Sequence, residues 1–562
     1  MKIRRRNVLR ASGAALATGV SLAGAGACRK AAPAPQRGDA RFIGQSPDRG
    51  HRLRARAHWG ASAVSTEKVG TLIVGAGAAG CAAAYALAAA GDRDFVVLEL
   101  EDALGGTARG GTWPSGRHPM GAHYLPAPGP DCPELVDLLD DLGLVLERDA
   151  SGRSTRCSDG SEPAPTERHY YRGVWDEGLY PARGETPAEA DDWARFADHL
   201  RELDDRRDGD GHRMFRLPLR RGSAELRHLD RISMADYLDQ LGIGSWRTRW
   251  VIDYACRDDY GTRIEDTSAY AGLHHFLARG LEERRDAYIL TFPEGNARLV
   301  EGMANKAGLE DDERLRLAHL VVELDAEAGW VQALDFAKGD GEGQLRRFEA
   351  ETIIWAAPRF LLRAVAREDP AAAAAAQLSY APWLVANLEL DDAPSGFGAP
   401  LSWDNVGTEQ DDLGYVVAGH GHARVPGDPV TITFYQAFAV PDAELARARA
   451  ELLAGDAGHW ERHVLGRLGK LHAELPASVR RIDLHRWGHA MIRPTPGLSF
   501  GGPLSELRRP FGRVMPCSTD LSGVPLFEEA FYAGREAAQW ALARRAGSTS
   551  SATSASSSIL TP

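Results

Sequence analysis

The chain has 562 residues, a net charge of −12, 44% hydrophobic residues and 26% charged residues. That length exceeds what one core usually serves, so two closely joined domains are expected, with ample apolar material to pack them. The acidic balance argues against nucleic acid as a partner, and the cysteines after Cys28, at Cys81, Cys132, Cys157, Cys256 and Cys517, lack the spacing of a metal site.

At the N-terminus, Arg5-Arg6-Asn7-Val8-Leu9-Arg10 precedes a weakly apolar Ala/Gly segment over 11–27. This resembles a twin-arginine export signal, which implies the twin-arginine machinery as a partner and a periplasmic or membrane-anchored location. Ala25-Gly26-Ala27-Cys28 resembles a lipoprotein cleavage box. A lipid anchor at Cys28 and ordinary peptidase cleavage nearby are the two readings of residues 1–28. Residues 29–66, rich in Ala, Pro, Arg and Gly, read as a tether with little core of its own.

The next segment, Val69-Gly70-Thr71-Leu72-Ile73-Val74-Gly75-Ala76-Gly77-Ala78-Ala79-Gly80, reads as a buried strand turning through glycines into a helix. In such a dinucleotide clamp Gly75 makes the tight turn, Gly77 leaves room for a pyrophosphate, and Gly80 lets helix and strand pack closely. The backbone around Ala79 presents N–H groups and the positive end of the helix dipole to the phosphates. The Ala-rich run 78–90 is a strong helix former, Gly91 suits a left-handed cap, and Phe95-Val96-Val97-Leu98 is a second buried strand. Glu99 ends that strand where a carboxylate for an adenosine ribose belongs. Residues 71–91 are apolar enough to mimic a membrane span, but the glycine turn divides them.

After Glu99 comes Leu100-Glu101-Asp102-Ala103-Leu104-Gly105-Gly106-Thr107-Ala108-Arg109. This is similar to the second glycine pair of the flavin-dependent amine oxidase, phytoene desaturase and protoporphyrinogen oxidase superfamily. The resemblance implies FAD, held by Gly105, Gly106 and Arg109, although the family's Gly-Gly-Arg is here Gly-Gly-Thr with the arginine delayed. Pro119-Met120-Gly121-Ala122-His123-Tyr124 is similar to the family segment that passes beside the flavin ring, with Gly121 and Ala122 permitting close backbone approach.

Farther along, Ser233-Met234-Ala235-Asp236-Tyr237-Leu238 predicts a capped helix start. Phe292-Pro293-Glu294-Gly295-Asn296 resembles the family's return to the cofactor domain, and in the strand element over 315–324 Val321 would offer backbone to the adenine. Thr352-Ile353-Ile354-Trp355-Ala356-Ala357-Pro358 reads as a buried strand with a proline break, and Val430-Thr431-Ile432-Thr433-Phe434-Tyr435 as another strand. Many amine oxidases carry a lysine near the flavin on the strand matching 380–388; this chain has none there. Arg486-Trp487-Gly488-His489 matches the place where relatives put an aromatic residue near substrate. Arg513 to Asp520, followed by Gly523-Val524-Pro525-Leu526-Phe527, resembles the closing strand, acid and final helix, with Asp520 toward the ribityl chain and Val524 near the ring.

The expected fold is α/β, a FAD-binding Rossmann-like domain assembled from 67–150, 290–375 and 488–546. An α+β substrate domain is inserted as 151–289 and 376–487. The Ser/Thr/Ala tail 547–562 reads as disordered. No metal site is expected. His123, Tyr124, Trp487 and His489 are the pocket candidates, and His123, His274, His275 and His489 are each able to accept a proton. The resemblance implies an exported oxidoreductase that takes a small organic substrate by hydride transfer to flavin N5, with the electron acceptor open. Desaturase-like or non-redox isomerase chemistry is the enzymatic alternative, and an electron-relay or assembly flavoprotein without a small-molecule substrate is the other class. A closed pocket over the ring separates the enzyme from the relay.

Overall fold

The structure is a computed structural model that describes residues 38–54, 65–128, 132–148, 154–157, 166–278, 289–310, 313–337, 341–366, 368–420 and 427–556. The export segment, Cys28 and half of the tether lie outside these residues.

A seven-stranded sheet carries the clamp. Strand Ser65–Val74 is its centre, parallel to Phe95–Leu98 on one side and to Gln344–Trp355 on the other. Val514–Pro516 joins Gln344–Trp355 in parallel, while Trp330–Asp335 and His319–Asp325 extend the sheet in antiparallel order. The parallel strands are buried over 69–74, 95–98 and 352–355, where helices cover the sheet, while Ser65 and Gln344 at their starts are exposed. Helices Ala78–Ala89, Ala297–Ala307 and the start of Phe527–Ser556 pack over one face, with Ile73, Val97 and Ile354 pointing into that core. Leu72, Val74, Phe348 and Ile353 face the opposite core. Cys81 is fully buried in the first of these cores, and burial pushes its thiol pKa up, as suits a small core residue.

The second sheet has eight strands, with Tyr380–Leu390 paired antiparallel to both Val479–Ile492 and Val430–Ala437. Two of its members differ from the expected division of the chain. Val479–Ile492 is one continuous strand, so residues 488–492 belong to this sheet rather than to the cofactor domain. Arg41–Phe42, in the expected tether, adds a parallel strand at its edge, tied by Arg41 to the buried Asp483. A helical lobe completes this side, with Pro187–Asp205, Trp246–Tyr260 and Ala269–Leu277 sharing one core. The helix at Met234–Gln240 begins with the expected cap, Ser233 and Asp236 bonding reciprocally. At the C-terminus the last helix runs on to Ser556 through the segment that composition marks as disordered. Among the described residues no helix is long and apolar enough to cross a membrane.

Candidate functional site

The clamp is built as its glycines require. Gly75 has φ +103°, and a Cβ there would sit 3.1 Å from the Ala356 backbone. At Gly80 a Cβ would collide with the Gly75 carbonyl. Gly77 differs: a Cβ there meets only the Gly106 Cα, at the ordinary contact distance of 3.9 Å, so no clash among the described residues requires glycine at this position. Gly105 N–H donates to the Ala76 carbonyl at 2.8 Å, which fixes the second pair against the first. Glu99 is buried, accepting from Ala76 N at 2.8 Å and from Glu101 N at 3.0 Å. Burial raises its pKa against these bonds. Arg109 turns to the N-terminal segment and donates to the Gly44 carbonyl at 3.0 Å. Val321 lies at a bulge in His319–Asp325, the strand whose His319 N–H reaches the Glu99 carbonyl at 2.7 Å.

Beyond the clamp, Ala78, Ala108, Gly121, Ala122, Pro525 and Phe527 line a cavity of about 150 Å³. Its far wall is Trp383, Val385, Tyr435 and Trp487, with Trp383 and Trp487 opposite one another on paired strands. Trp383 and Val385 share a strand face because they are two residues apart. Neither is charged, so the missing lysine is not supplied from this strand. The Tyr435 hydroxyl donates to the Gly121 carbonyl at 2.8 Å, and Asn296 donates from Nδ2 to the Tyr124 carbonyl at 2.9 Å. These bonds hold the Gly121-Ala122-His123-Tyr124 backbone against the cavity. The other side-chain atom of Asn296, Oδ1, is a buried acceptor with no partner among the described residues.

His123, Tyr124, Asp258 and Tyr435 also line a second, inner chamber of about 50 Å³, walled by Glu167, Tyr254, His275, Trp403 and Asp404. Tyr124 donates to Asp259 Oδ1 at 2.6 Å, and His275 Nδ1 lies 2.7 Å from Asp259 Oδ2. Tyr254 donates to Asp404 at 2.7 Å. Burial, reinforced by Glu167, pushes Asp404 up to about 8. Burial lowers His123 to about 4, so its imidazole is neutral and packs between Tyr435 and Trp403.

Three expected residues take other places. His489 lies outside the ring cavity, in a separate cleft of about 820 Å³ beside Arg54, Arg449 and Arg486, where it stacks on Phe360 at 4.5 Å. Burial, with Arg449 and Arg54, lowers it to about 4. Asp520 accepts from Arg359 N and from Tyr380 Oη, each at 2.7 Å, and its neighbour Thr519 lines the cavity instead. Val524 is packed in the helical lobe's core, so the ring-facing contribution passes to Pro525, Leu526 and Phe527. In the other direction, sequence reasoning passed over Asp258, Asp259, Tyr254, Trp403, Asp404 and Tyr435. Tyr254 and Asp258 are four apart on one helix face, a signal that was available; Trp403 and Asp404 carried none. Asp208, Asp210 and His212 approach one another on the surface, but Asp208 Oδ1 is occupied by the backbone N–H groups of the other two.

Residues 73–142 match the family of NAD(P)-binding Rossmann-like domains. No curated protein matches the chain by sequence. Among solved structures, wild-type putrescine oxidase bound to putrescine has a TM-score of 0.60 at 17% identity, covering 85% of this chain and 100% of its own. Cyclohexylamine oxidase from Brevibacterium oxydans IH-35A has a TM-score of 0.59 at 18% identity, covering 84% of this chain and 99% of its own. A CLA-producing fatty acid isomerase from P. acnes has a TM-score of 0.57 at 14% identity, covering 83% and 97%. With a Rossmann-like head and these structures matching along most of its length, the chain has the α/β fold shared by these oxidases and the isomerase.

Proposed function

We propose that the protein is a FAD-dependent oxidoreductase that oxidises an amine. The observation that carries this reading is the lining of the two adjacent chambers. They present the carboxyl groups of Glu167, Asp258, Asp259 and Glu528, with Asp404 beside them as a neutral acid at pH 7, and no lysine or arginine among the described residues. Tyr124, Tyr254, Trp383, Trp403, Tyr435 and Trp487 make up the aromatic walls. Carboxylates and aromatic faces attract an organic cation, whereas a fatty acid would bring a carboxylate into a like-charged site.

The clamp fits FAD on its own geometry: the protein tolerates a side chain at Gly77, where a pyrophosphate would lie, buried Glu99 stands where a ribose is held, and Gly121 and Ala122 line the cavity beyond. When bound, FAD supplies the two-electron acceptor for the carbon next to the substrate nitrogen. The chain does the rest. Trp383, Tyr435 and Trp487 exclude water, the carboxylates hold the ammonium group, and Asn296 Oδ1 offers an acceptor to an N–H donor. The aromatic walls of the cavity favour this enzymatic reading over an exposed-edge electron relay.

Anaerobic mixing of purified protein with a panel of primary and secondary amines, alcohols and unsaturated fatty acids tests the proposal. Bleaching of the flavin by amines alone is expected; bleaching by a fatty acid or by no amine would overturn it. Export by the twin-arginine route is part of the same proposal and rests on Arg5, Arg6 and the segment after them.

A further inference from the structure

The cleft that holds His489 is a site of its own: we propose that it binds an organic oxyanion, a carboxylate, sulfonate or phosphate carried on an apolar body. It opens between the N-terminal segment around helix Pro47–His51, helix Arg359–Val365, helix Leu445–Ala454 and strand Val479–Ile492. Its volume of about 820 Å³ is that of a small-molecule site. Trp487 is the one residue that lines both this cleft and the ring cavity, so an occupant would meet the cavity wall on its other side.

The charge of the cleft carries the inference. Four of these elements each bring an arginine to it: Arg54 just after the first helix, Arg363 on the second, Arg449 on the third and Arg486 on the strand. None of the four makes an ion pair with a carboxylate among the described residues. Arg449 and Arg486 are half-buried and donate to backbone carbonyls, of Tyr380 at 3.1 Å and Leu453 at 2.8 Å. A guanidinium has five N–H donors, so each keeps others for a ligand. Burial lowers the pKa of both, with Arg493 adding to the effect at Arg449; Asp442 and Asp48 oppose it without pairing with them. Glu101 is the one carboxylate among the lining residues, and its Oε1 accepts from Ser46 N at 2.9 Å. Residues 55–64, which follow Arg54 and lie outside the described residues, contain Arg56 and no Asp or Glu, so that stretch of chain brings no countercharge.

Converging, half-buried guanidinium groups without carboxylate partners repel one another and lose hydration, and a bound anion relieves both costs. The guanidinium fork matches the paired oxygens of a carboxylate, sulfonate or phosphate. The rest of the wall argues for more than a small ion. Phe42, Phe360, Leu361, Leu452 and Leu453 are apolar, and the neutral imidazole of His489 stacks on Phe360. An anion is also drawn here rather than to the two chambers, whose carboxylates repel it. The site stands whether or not the substrate is an amine.

Isothermal titration calorimetry of the purified, flavin-loaded protein with naphthalene-2-sulfonate, its uncharged sulfonamide and inorganic sulfate tests the site. Saturable binding of the sulfonate is expected, about tenfold or more tighter than either of the others, the scale of one charge-assisted hydrogen bond. Arg54 and Arg363 are exposed, so replacing both by Glu leaves the fold intact and should weaken the sulfonate by about tenfold or more. Arg486→Gln, which keeps an N–H for the Leu453 carbonyl, should weaken it too. Lys470→Glu, at an exposed cation outside the cleft, should leave the affinity within about twofold. No saturable binding, a sulfonamide that binds as tightly, or a sulfonate affinity unmoved by the Arg54 and Arg363 replacements would overturn the site. Sulfate binding as tightly as the sulfonate would show an adventitious ion only and overturn the organic ligand. Should Arg486→Gln fail to fold, the two exposed positions decide alone.

Discussion

Gly77 and Asp404 show how differently single residues act here. At Gly77 the surroundings leave space for a side chain, the nearest atom to a built Cβ being Gly106 Cα at 3.9 Å. Gly77→Val should therefore yield a folded protein without bound flavin, seen as native circular dichroism with flavin absorbance reduced to a small fraction of wild type. A flavin-loaded variant would show that the clamp assignment is wrong. Asp404 is a carboxyl group whose pKa in the folded state, about 8, lies above its value of about 3.9 in the unfolded chain. The unfolded state ionises first on raising the pH, so the contribution of Asp404 is fully present below about pH 4 and is lost as pH rises toward 8. Asparagine keeps an acceptor for Tyr254 and cannot ionise. Between pH 5 and pH 9 the melting temperature of Asp404→Asn should fall several degrees less than that of wild type in differential scanning fluorimetry; parallel curves would contradict the assignment.

At the scale of elements, the strand Tyr380–Leu390 is decisive for oxygen. It passes the ring cavity with Trp383 and Val385 and brings no cation to it. Reduced protein mixed with air-saturated buffer should then reoxidise slowly, on the order of a hundredfold slower than a protein with an ammonium group beside the ring, because nothing stabilises negative charge developing on oxygen. Rapid reoxidation in the stopped-flow would point to a charge delivered from elsewhere. The strand was legible as an apolar run, and its missing lysine could be read directly. Which of its residues face the cavity was not, because a strand buried on both faces has no polar alternation to reveal its pleat. Arg41–Phe42 was unreadable for another reason. Two residues in a Pro/Arg-rich stretch join a sheet only because Asp483, far along the chain, waits for Arg41.

For the whole molecule, the clamp at the front, the Tyr380 strand in the middle and the Phe527 helix at the end meet around one cavity. An enzyme that must take up FAD before leaving the cell requires a route for folded proteins, and the twin-arginine proposal meets that requirement. Replacing Arg5 and Arg6 together by Lys should leave a yellow, folded protein in the cytoplasm, measured by fractionation and flavin fluorescence, since the planar guanidinium pair is not reproduced by ammonium groups. Undiminished appearance outside the cytoplasm would show that another route reads this N-terminus.

By itself the sequence determined the clamp, the α/β fold and the second glycine pair, because each is a local pattern: a strand, a turn that only glycine permits and a helix, all within one stretch of chain. It also put Tyr124 and Trp487 in one pocket, and the structure brings both to the same cavity. The tertiary structure alone decided the acidic chamber. Asp259 and His275 come from two helices, Asp404 from a strand and Tyr124 from a loop edge, and no spacing along the chain encodes their meeting. His489 shows the converse: two residues past Trp487 it would share that residue's face, but the pairing shifts between Trp487 and Met491, and His489 lies in the arginine cleft instead.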